Sequence, residues 1–248
     1  MKAVVCVSLV PDSTTKVKIN SDGKSIDETG VIFILNPYDE FAVEETVKLK
    51  ETIQAETFVI SFGNESSKEA IKKSFQMGID KGILIKTDDK FFDSYTVAKN
   101  LANELKELNP DIIFFGKQSI DYDGQSLPGM VGALLNIPAI NIVTNLKIEN
   151  NNIKAEREIE GGKETVIASL PVIIGAQKGL NNPRYPNLKS IMASKSKPIE
   201  VKPQTYKGNY IEVISMNLPE GKNKGKILEG NENAAELVRL LKEEAKVI

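Results

Sequence analysis

The apolar positions of this chain fall into short runs separated by polar breaks, and the spacing inside those runs changes from one to the next. Residues 2–10 (KAVVCVSLV) are valine-rich with little alternation, the pattern of a central parallel strand buried on both faces. Pro11, Asp12 and Ser13 end it in a turn. Residues 17–19 and 26–34 are short extended pieces around Ser21-Asp22-Gly23, a hairpin signal. Asn36-Pro37 then suits an N-cap and first turn, and Phe41, Ala42, Val47 and Leu49 continue at helical spacing to about Glu51. Asp39, Glu40, Glu44 and Glu45 stand early in that helix, where its dipole favours acids. Strands at 57–62 and 82–85 alternate with helices at 67–77, closed by Gly78, and from Ser94 or Tyr95 to Leu108, closed by Asn109-Pro110.

Residues 111–138, DIIFFGKQSIDYDGQSLPGMVGALLNIP, organise the rest. A buried strand at 111–115 runs into a polar loop at 116–124. Small and apolar residues at helical spacing then run from Gln125 to Asn136. After it come a strand at 139–144, paired extended pieces at 146–149 and 153–158 around three asparagines, a piece at 164–170, and a buried strand at 171–176. Beyond residue 177 the pattern loosens: loop to 186, one helical turn at 188–192, a basic extended stretch at 194–202, an edge strand at 211–216, and a linker-like stretch at 218–230. An amphipathic helix at 233–246 carries Leu237, Val238, Leu240 and Leu241 on one side. Repeated strand–helix alternation predicts an α/β fold with a doubly wound, mostly parallel, Rossmann-like sheet. To this are added a small antiparallel hairpin insertion and an extended C-terminal arm. The expected division is a main domain at 1–196 and an arm with terminal helix at 197–248, too thin to form a core and expected to lie on a partner subunit.

Composition narrows the chemistry. The 248 residues, 41% hydrophobic, suffice for one large domain with appendages. Charged residues make up 27% but the net charge is −2, so a basic face for nucleic acid is not expected. The longest apolar runs fall short of the roughly 18 residues that a spanning helix needs. One cysteine points to a reducing compartment, and residues 1–10 read as strand rather than export signal, so a cytoplasmic setting is expected, or a mitochondrial matrix if a presequence had been removed. With no histidine, Ser-His-Asp and Cys-His chemistry and His-ligated metals are absent, which shifts the balance from hydrolase toward carrier or binding protein.

The candidate site is the strand–loop–helix junction at 111–126. A helix start at the carboxyl end of an open α/β sheet attracts phosphate through unpaired N–H groups. Neither GxGxxG nor GxxxxGK[ST] is present. The polar set is instead Lys117, Gln118, Ser119, Asp121, Asp123, Gln125 and Ser126, whose amides and hydroxyls can bond a ribose, a phosphate or an adenine edge. The plain alternative is a βα turn with no ligand. Asn36, Pro37, Tyr38 and Asp39 form either a simple cap or a second wall of the crevice. Cys6, by its residue type, reads as a small buried hydrophobe. Lys117 with Asp121 and Asp123 could also imitate a nucleotide-hydrolysing set.

Several separated motifs stand in one order: VVCVSLVPD (4–12), LNPYDEFAVEETVKLKE (35–51), GKQSIDYDGQ (116–125), EREIEGGKETVIASLPVIIG (156–175) and NNPRYPNLKSIMASKSKPIEV (181–201). Together they resemble the β subunit of electron transfer flavoprotein, over nearly the whole chain. The resemblance implies an adenine-nucleotide α-hydrolase type of sheet and a heterodimer with a homologous α subunit that holds most of the redox FAD. It implies an electron carrier, not an enzyme in its own right. Electrons would pass from flavin dehydrogenases of the acyl-CoA type to a quinone-linked acceptor, as in fatty acid oxidation.

It also implies a structural AMP in this chain, with contacts at Cys6, Asn36, Pro37, Tyr38, Asp39, Phe62, Gly116, Lys117, Gln118, Ser119, Ile120, Asp121, Asp123, Gly124, Gln125 and Ser126. The loop after Asp121 departs from the family pattern, so the contacts of Asp123 and Gly124 are the least fixed. The turn at 10–13 is similar to electron-bifurcating relatives, which hold a second FAD in place of AMP and oxidise NADH. Residues 184–194 are similar to the loop that docks on dehydrogenases, with Arg184, Tyr185, Ile191 and Met192 around Leu188 as an apolar anchor. Glu158 is similar to a carboxylate that steers the mobile FAD domain.

Overall fold

The computed structural model describes residues 1–221 and 225–248; part of the expected linker at 218–230 lies outside the described residues. The chain opens with β1 (Lys2–Cys6) and β2 (Leu9–Pro11). The valine-rich run expected as one strand is therefore broken, and Ser8 is the reason. Its N–H goes to the Asp39 carboxylate and its carbonyl accepts from the Asn36 N–H, so the ladder cannot continue past Val7. β2 turns away and pairs antiparallel with β3 (Phe33–Leu35).

The following elements are α1 (Pro37–Ile53), β4 (Glu56–Gly63), α2 (Lys68–Met77), β5 (Lys81–Lys86), α3 (Ser94–Leu108) and β6 (Ile112–Gly116). Next come α4 (Leu127–Leu135), β7 (Ala139–Glu149), β8 (Asn152–Ile159), β9 (Gly162–Ser169), β10 (Val172–Ala176), α5 (Leu188–Ser194), β11 (Ile199–Pro203) and α6 (Ala234–Glu243). The helix expected from Gln125 starts two residues later. Pro128 is tolerated only in a first turn, and Ser119 N–H to Gly124 O closes the preceding loop as a small hairpin.

Nine strands form one sheet in the order β11-β5-β4-β1-β6-β10-β7-β8-β9. Pairing is parallel from β11 through β7 and antiparallel for β7–β8 and β8–β9. The antiparallel hairpins thus extend the main sheet, because β7 runs unbroken from its parallel partner β10 to its antiparallel partner β8.

Alternation at period two sends neighbouring residues of each strand to opposite faces. Val5, Val59, Phe114 and Ile174 pack under α1 and α2 with Val43, Val47, Ile71 and Phe75. Val4, Ile60, Ile113 and Ile173 pack under α3 and α4 with Leu101, Leu105 and Val131. This gives three layers. The chain leaves β1 toward β4 and β5 on one side, then returns to β6 and β10 on the other. The carboxyl ends of β1 and β6 therefore flank the topological switch point, where open α/β sheets take ligands.

Two compact units are present, one of residues 1–17 and 27–214, the other of residues 18–26 and 215–248. The segment expected to open the arm at residue 197 first supplies edge strand β11, parallel to β5, and then runs along α3. Asn100 receives the N–H groups of Thr205 (2.8 Å) and Tyr206 (3.0 Å), and Asp93 that of Tyr210 (2.6 Å). The strand expected at 211–216 is not formed. Ile211 gives its N–H to Asp93, and no partner strand adjoins the segment among the described residues. In the second unit, Ile19 and Ile26 form a bridge, Met216 N–H bonds to Gly23 O (2.7 Å), and α6 carries no buried residue among those described.

Candidate functional site

The switch point is built around Asp39. Its side chain is buried, and four donors converge on it: Ser8 N–H (2.8 Å) and Ser8 Oγ–H (3.0 Å) on Oδ2, Asn36 Nδ2–H (2.8 Å) and Gly116 N–H (3.1 Å) on Oδ1. One carboxylate thereby ties the end of β1, the start of α1 and the end of β6. Burial pushes its pKa up to about 7, against the lowering effect of those donors. Gly116 is required by close approach, since a Cβ there would stand 2.4 Å from Asp39 Oδ1 and 2.7 Å from the Tyr38 carbonyl carbon.

Asn36 sits at the N-cap position but makes no cap bond with its side chain. Besides Asp39 it donates to Gln118 O (2.9 Å) and accepts from Ile120 N–H (3.3 Å), fastening the loop after β6 to the start of α1. Within that loop Gln118 accepts from Gln125 (3.1 Å) and donates to Asp123 (3.0 Å), and Ser119 bonds Asp121. Asp123 has φ 52°, a left-handed conformation its short polar side chain tolerates. Ser126 ends the loop as the N-cap of α4, again without a cap bond from its hydroxyl. Its oxygen and the N–H groups of Leu127 and Gly129 are left for another partner, since Pro128 has no N–H and that of Met130 goes to Ser126 O.

Between these parts lies a cavity of ≈ 180 Å³. Of the sequence-expected contacts, Cys6, Asn36, Asp39, Phe62, Gly116, Gln118, Ser119, Asp121, Gly124 and Ser126 line it. Pro37, Tyr38, Lys117, Ile120, Asp123 and Gln125 stand behind or beside this lining. Pro37 opens α1, and Lys117 places Nζ 4.8 Å from the centre of the Tyr38 ring, outside the cavity wall. The Cys6 thiol is buried and its pKa is pushed up by desolvation and by Asp39, so at neutral pH it is a small apolar wall group and not a nucleophile.

The lining also includes residues that the sequence did not single out. Val7 and Ser8 continue β1, Phe115 precedes Gly116, and Leu127 and Pro128 open α4. Phe92, Ser94, Val97 and Leu101 come from α3 and the segment before it, and Phe92 meets Phe62 edge-on at 4.9 Å. Their signal was the apolar stripe of α3, which reads as core. Tyr122, 73% exposed, overhangs the opening. The cavity is thus apolar on its α3 side apart from Ser94, and polar along the loop as far as Ser126, beyond which Leu127 and Pro128 are apolar again.

The residues expected to meet partners lie away from the cavity. Tyr185 (96% exposed), Leu188 (79%) and Met192 (61%) share one outer segment, with Ile191 half-buried. Arg184 faces inward to Glu44 and Glu51 of α1. Glu158 on β8 is exposed and accepts from Gln177 (3.0 Å). Among the described residues, no helix is long and apolar enough to cross a membrane.

The electron transfer flavoprotein domain model matches residues 24–206. The chain is 35% identical to the electron transfer flavoprotein subunit beta of Bacillus subtilis, covering 94% of this chain and 95% of that protein. It is 36% identical to that of Bradyrhizobium diazoefficiens over the whole of both chains. To that of Mus musculus it is 34% identical, over 100% of this chain and 99% of the relative. With the sheet, the switch-point cavity and these full-length likenesses together, the chain belongs to the electron transfer flavoprotein family, as a β subunit.

Proposed function

We propose that this chain is the nucleotide-holding subunit of a two-subunit electron carrier. It pairs with a homologous α subunit bearing the redox FAD and keeps a structural AMP in its own switch-point cavity. The carrier takes electrons from flavin dehydrogenases of the acyl-CoA type and passes them to a quinone-linked acceptor. The observation that carries the AMP assignment is the two-sided chemistry of the cavity, largely apolar on the α3 face and polar along the loop from Gly116 to Ser126.

The residues present fit such a ligand. Phe62, Val97 and Leu101 offer an apolar surface for a base. The second amide N–H of Gln118 and the lone pairs of Gln118 and Ser119 can meet a ribose, while both N–H groups of Asn36 are held by Asp39 and Gln118 O. The Ser126 hydroxyl and the two open N–H groups of α4, those of Leu127 and Gly129, suit a phosphate. In this reading the nucleotide is structural, and redox chemistry belongs to the flavin of the partner. This chain's residues bind, orient and exclude water. Asp39 and Asn36 hold the loop and helix starts at fixed separation, and Cys6 and Phe115 close the floor.

Calorimetry on nucleotide-stripped protein tests it. AMP is expected to bind one site per chain, and Asn36→Ala to weaken that binding about tenfold by freeing residues 118–120 from α1. FAD binding this cavity more tightly than AMP would favour the bifurcating alternative. No adenine nucleotide binding at all would remove the reading.

A further inference from the structure

We propose that Arg184 is a positioning residue, which clamps the outer segment 181–187 onto α1 and so holds Tyr185, Leu188 and Met192 out toward a docking partner. This rests on the reading of 184–194 as the dehydrogenase-docking surface.

The guanidinium makes a two-toothed fork on Glu44, Nε to Oε2 at 2.9 Å and Nη2 to Oε1 at 3.0 Å. It makes a second on Glu51, Nη1 to Oε1 at 2.6 Å and Nη2 to Oε2 at 2.9 Å. The Arg184 main-chain N–H adds a bond to Glu44 Oε2 at 3.1 Å. Glu44 has a side chain only 5% exposed, which makes its pairing with Arg184 obligatory. Three residues earlier, Asn181 donates to Phe41 O (2.9 Å) and Glu45 Oε2 (2.9 Å) of the same helix. Three residues later, Asn187 caps α5 by accepting from Ser190 N–H (2.9 Å).

The segment 181–187 has no strand ladder and contains Pro183 and Pro186, so side-chain anchors set its course. The side chains of Tyr185, Leu188 and Met192, within and just beyond the anchored stretch, are exposed. A planar fork holding two carboxylates cannot be copied by the single ammonium of lysine. Arg184 therefore acts through the segment that it fixes.

The test uses the assembled two-subunit complex. Arg184→Lys is expected to speed amide hydrogen exchange across 185–194 by about tenfold or more. With a purified acyl-CoA dehydrogenase as electron donor, it should raise KM for the carrier about fivefold at unchanged kcat. Glu51→Gln, at an exposed carboxylate that folding does not require, should move both readouts the same way by less. Leu188→Ala should raise KM and leave exchange unchanged. Unchanged exchange in Arg184→Lys overturns the proposal, including when KM rises, since the arginine would then be a direct contact. Should Arg184→Lys fail to fold, unchanged exchange in Glu51→Gln overturns it instead. Unchanged KM in Leu188→Ala refutes the docking surface and leaves the exchange result to decide the clamp.

Discussion

Asp39 shows how much one buried carboxylate can hold. Its folded pKa is raised from 3.8 to about 7, so the folded chain binds that proton more tightly than the unfolded chain does. The stability this group contributes is present at low pH and is lost as pH rises through about 7. Asp39→Asn presents an NH₂ where a donor already points, leaving Ser8 or Gly116 N–H unpaired. It should cost about 1–3 kcal/mol near pH 5, with the gap from wild type narrowing toward pH 8, measured by urea unfolding across that range. A gap that stays constant with pH would contradict the assignment. Gly116→Ala should be worse, because the added methyl meets Asp39 and the Tyr38 backbone and none of these can move without opening the node. The sequence pattern left Asn36 and Asp39 as either a helix cap or a second wall of the crevice, and the family resemblance grouped them with Gly116. Neither showed that Asn36 clamps a loop in place of capping its own helix, because that role depends on Gln118 and Ile120, which lie far along the chain.

At the scale of elements, the helices and parallel strands were legible from spacing and caps, and most misses come from bonds to residues far along the chain. The break after Cys6 is set by Ser8 bonding across to α1, a long-range competition that a valine-rich run conceals. The start of α4 could have been read from Pro128, which belongs in a first turn. The absence of a strand at 211–216 was not readable, since those residues have strand composition but Ile211 gives its N–H to the carboxylate that caps α3 and Met216 gives its own to Gly23 O. The double duty of that carboxylate gives a prediction. Asp93 accepts from Thr96 N–H (2.8 Å) as N-cap and from Tyr210 and Ile211 as anchor. Asp93→Ala should cost about 1–2 kcal/mol of stability and expose the stretch around Lys207 to trypsin. Lost stability with unchanged proteolysis would mean that the cap matters and the anchor does not.

For the whole molecule, the three-layer sheet and its switch point followed from strand–helix alternation. The apolar half of the cavity did not, because Phe92, Val97 and Leu101 look like core until the fold leaves space beside them. The C-terminal region divides in two. Residues to 214 are tied to the main sheet and α3, whereas in the second unit Leu237 and Val238 of α6 are 47% and 54% exposed. Exposed apolar stripes of this kind mark surfaces awaiting cover. Amides of α6 should therefore exchange rapidly in the isolated chain and become protected when the α subunit is added; equal exchange in both would place that subunit elsewhere.

The central claim is that the cavity between Cys6, Gly116 and Ser126 holds a structural adenine mononucleotide. Mass spectrometry of the gently denatured β chain, purified apart from its partner, tests it most directly. One equivalent of AMP with no flavin is the expected result; a chain that releases stoichiometric FAD, or no nucleotide at all, would contradict it.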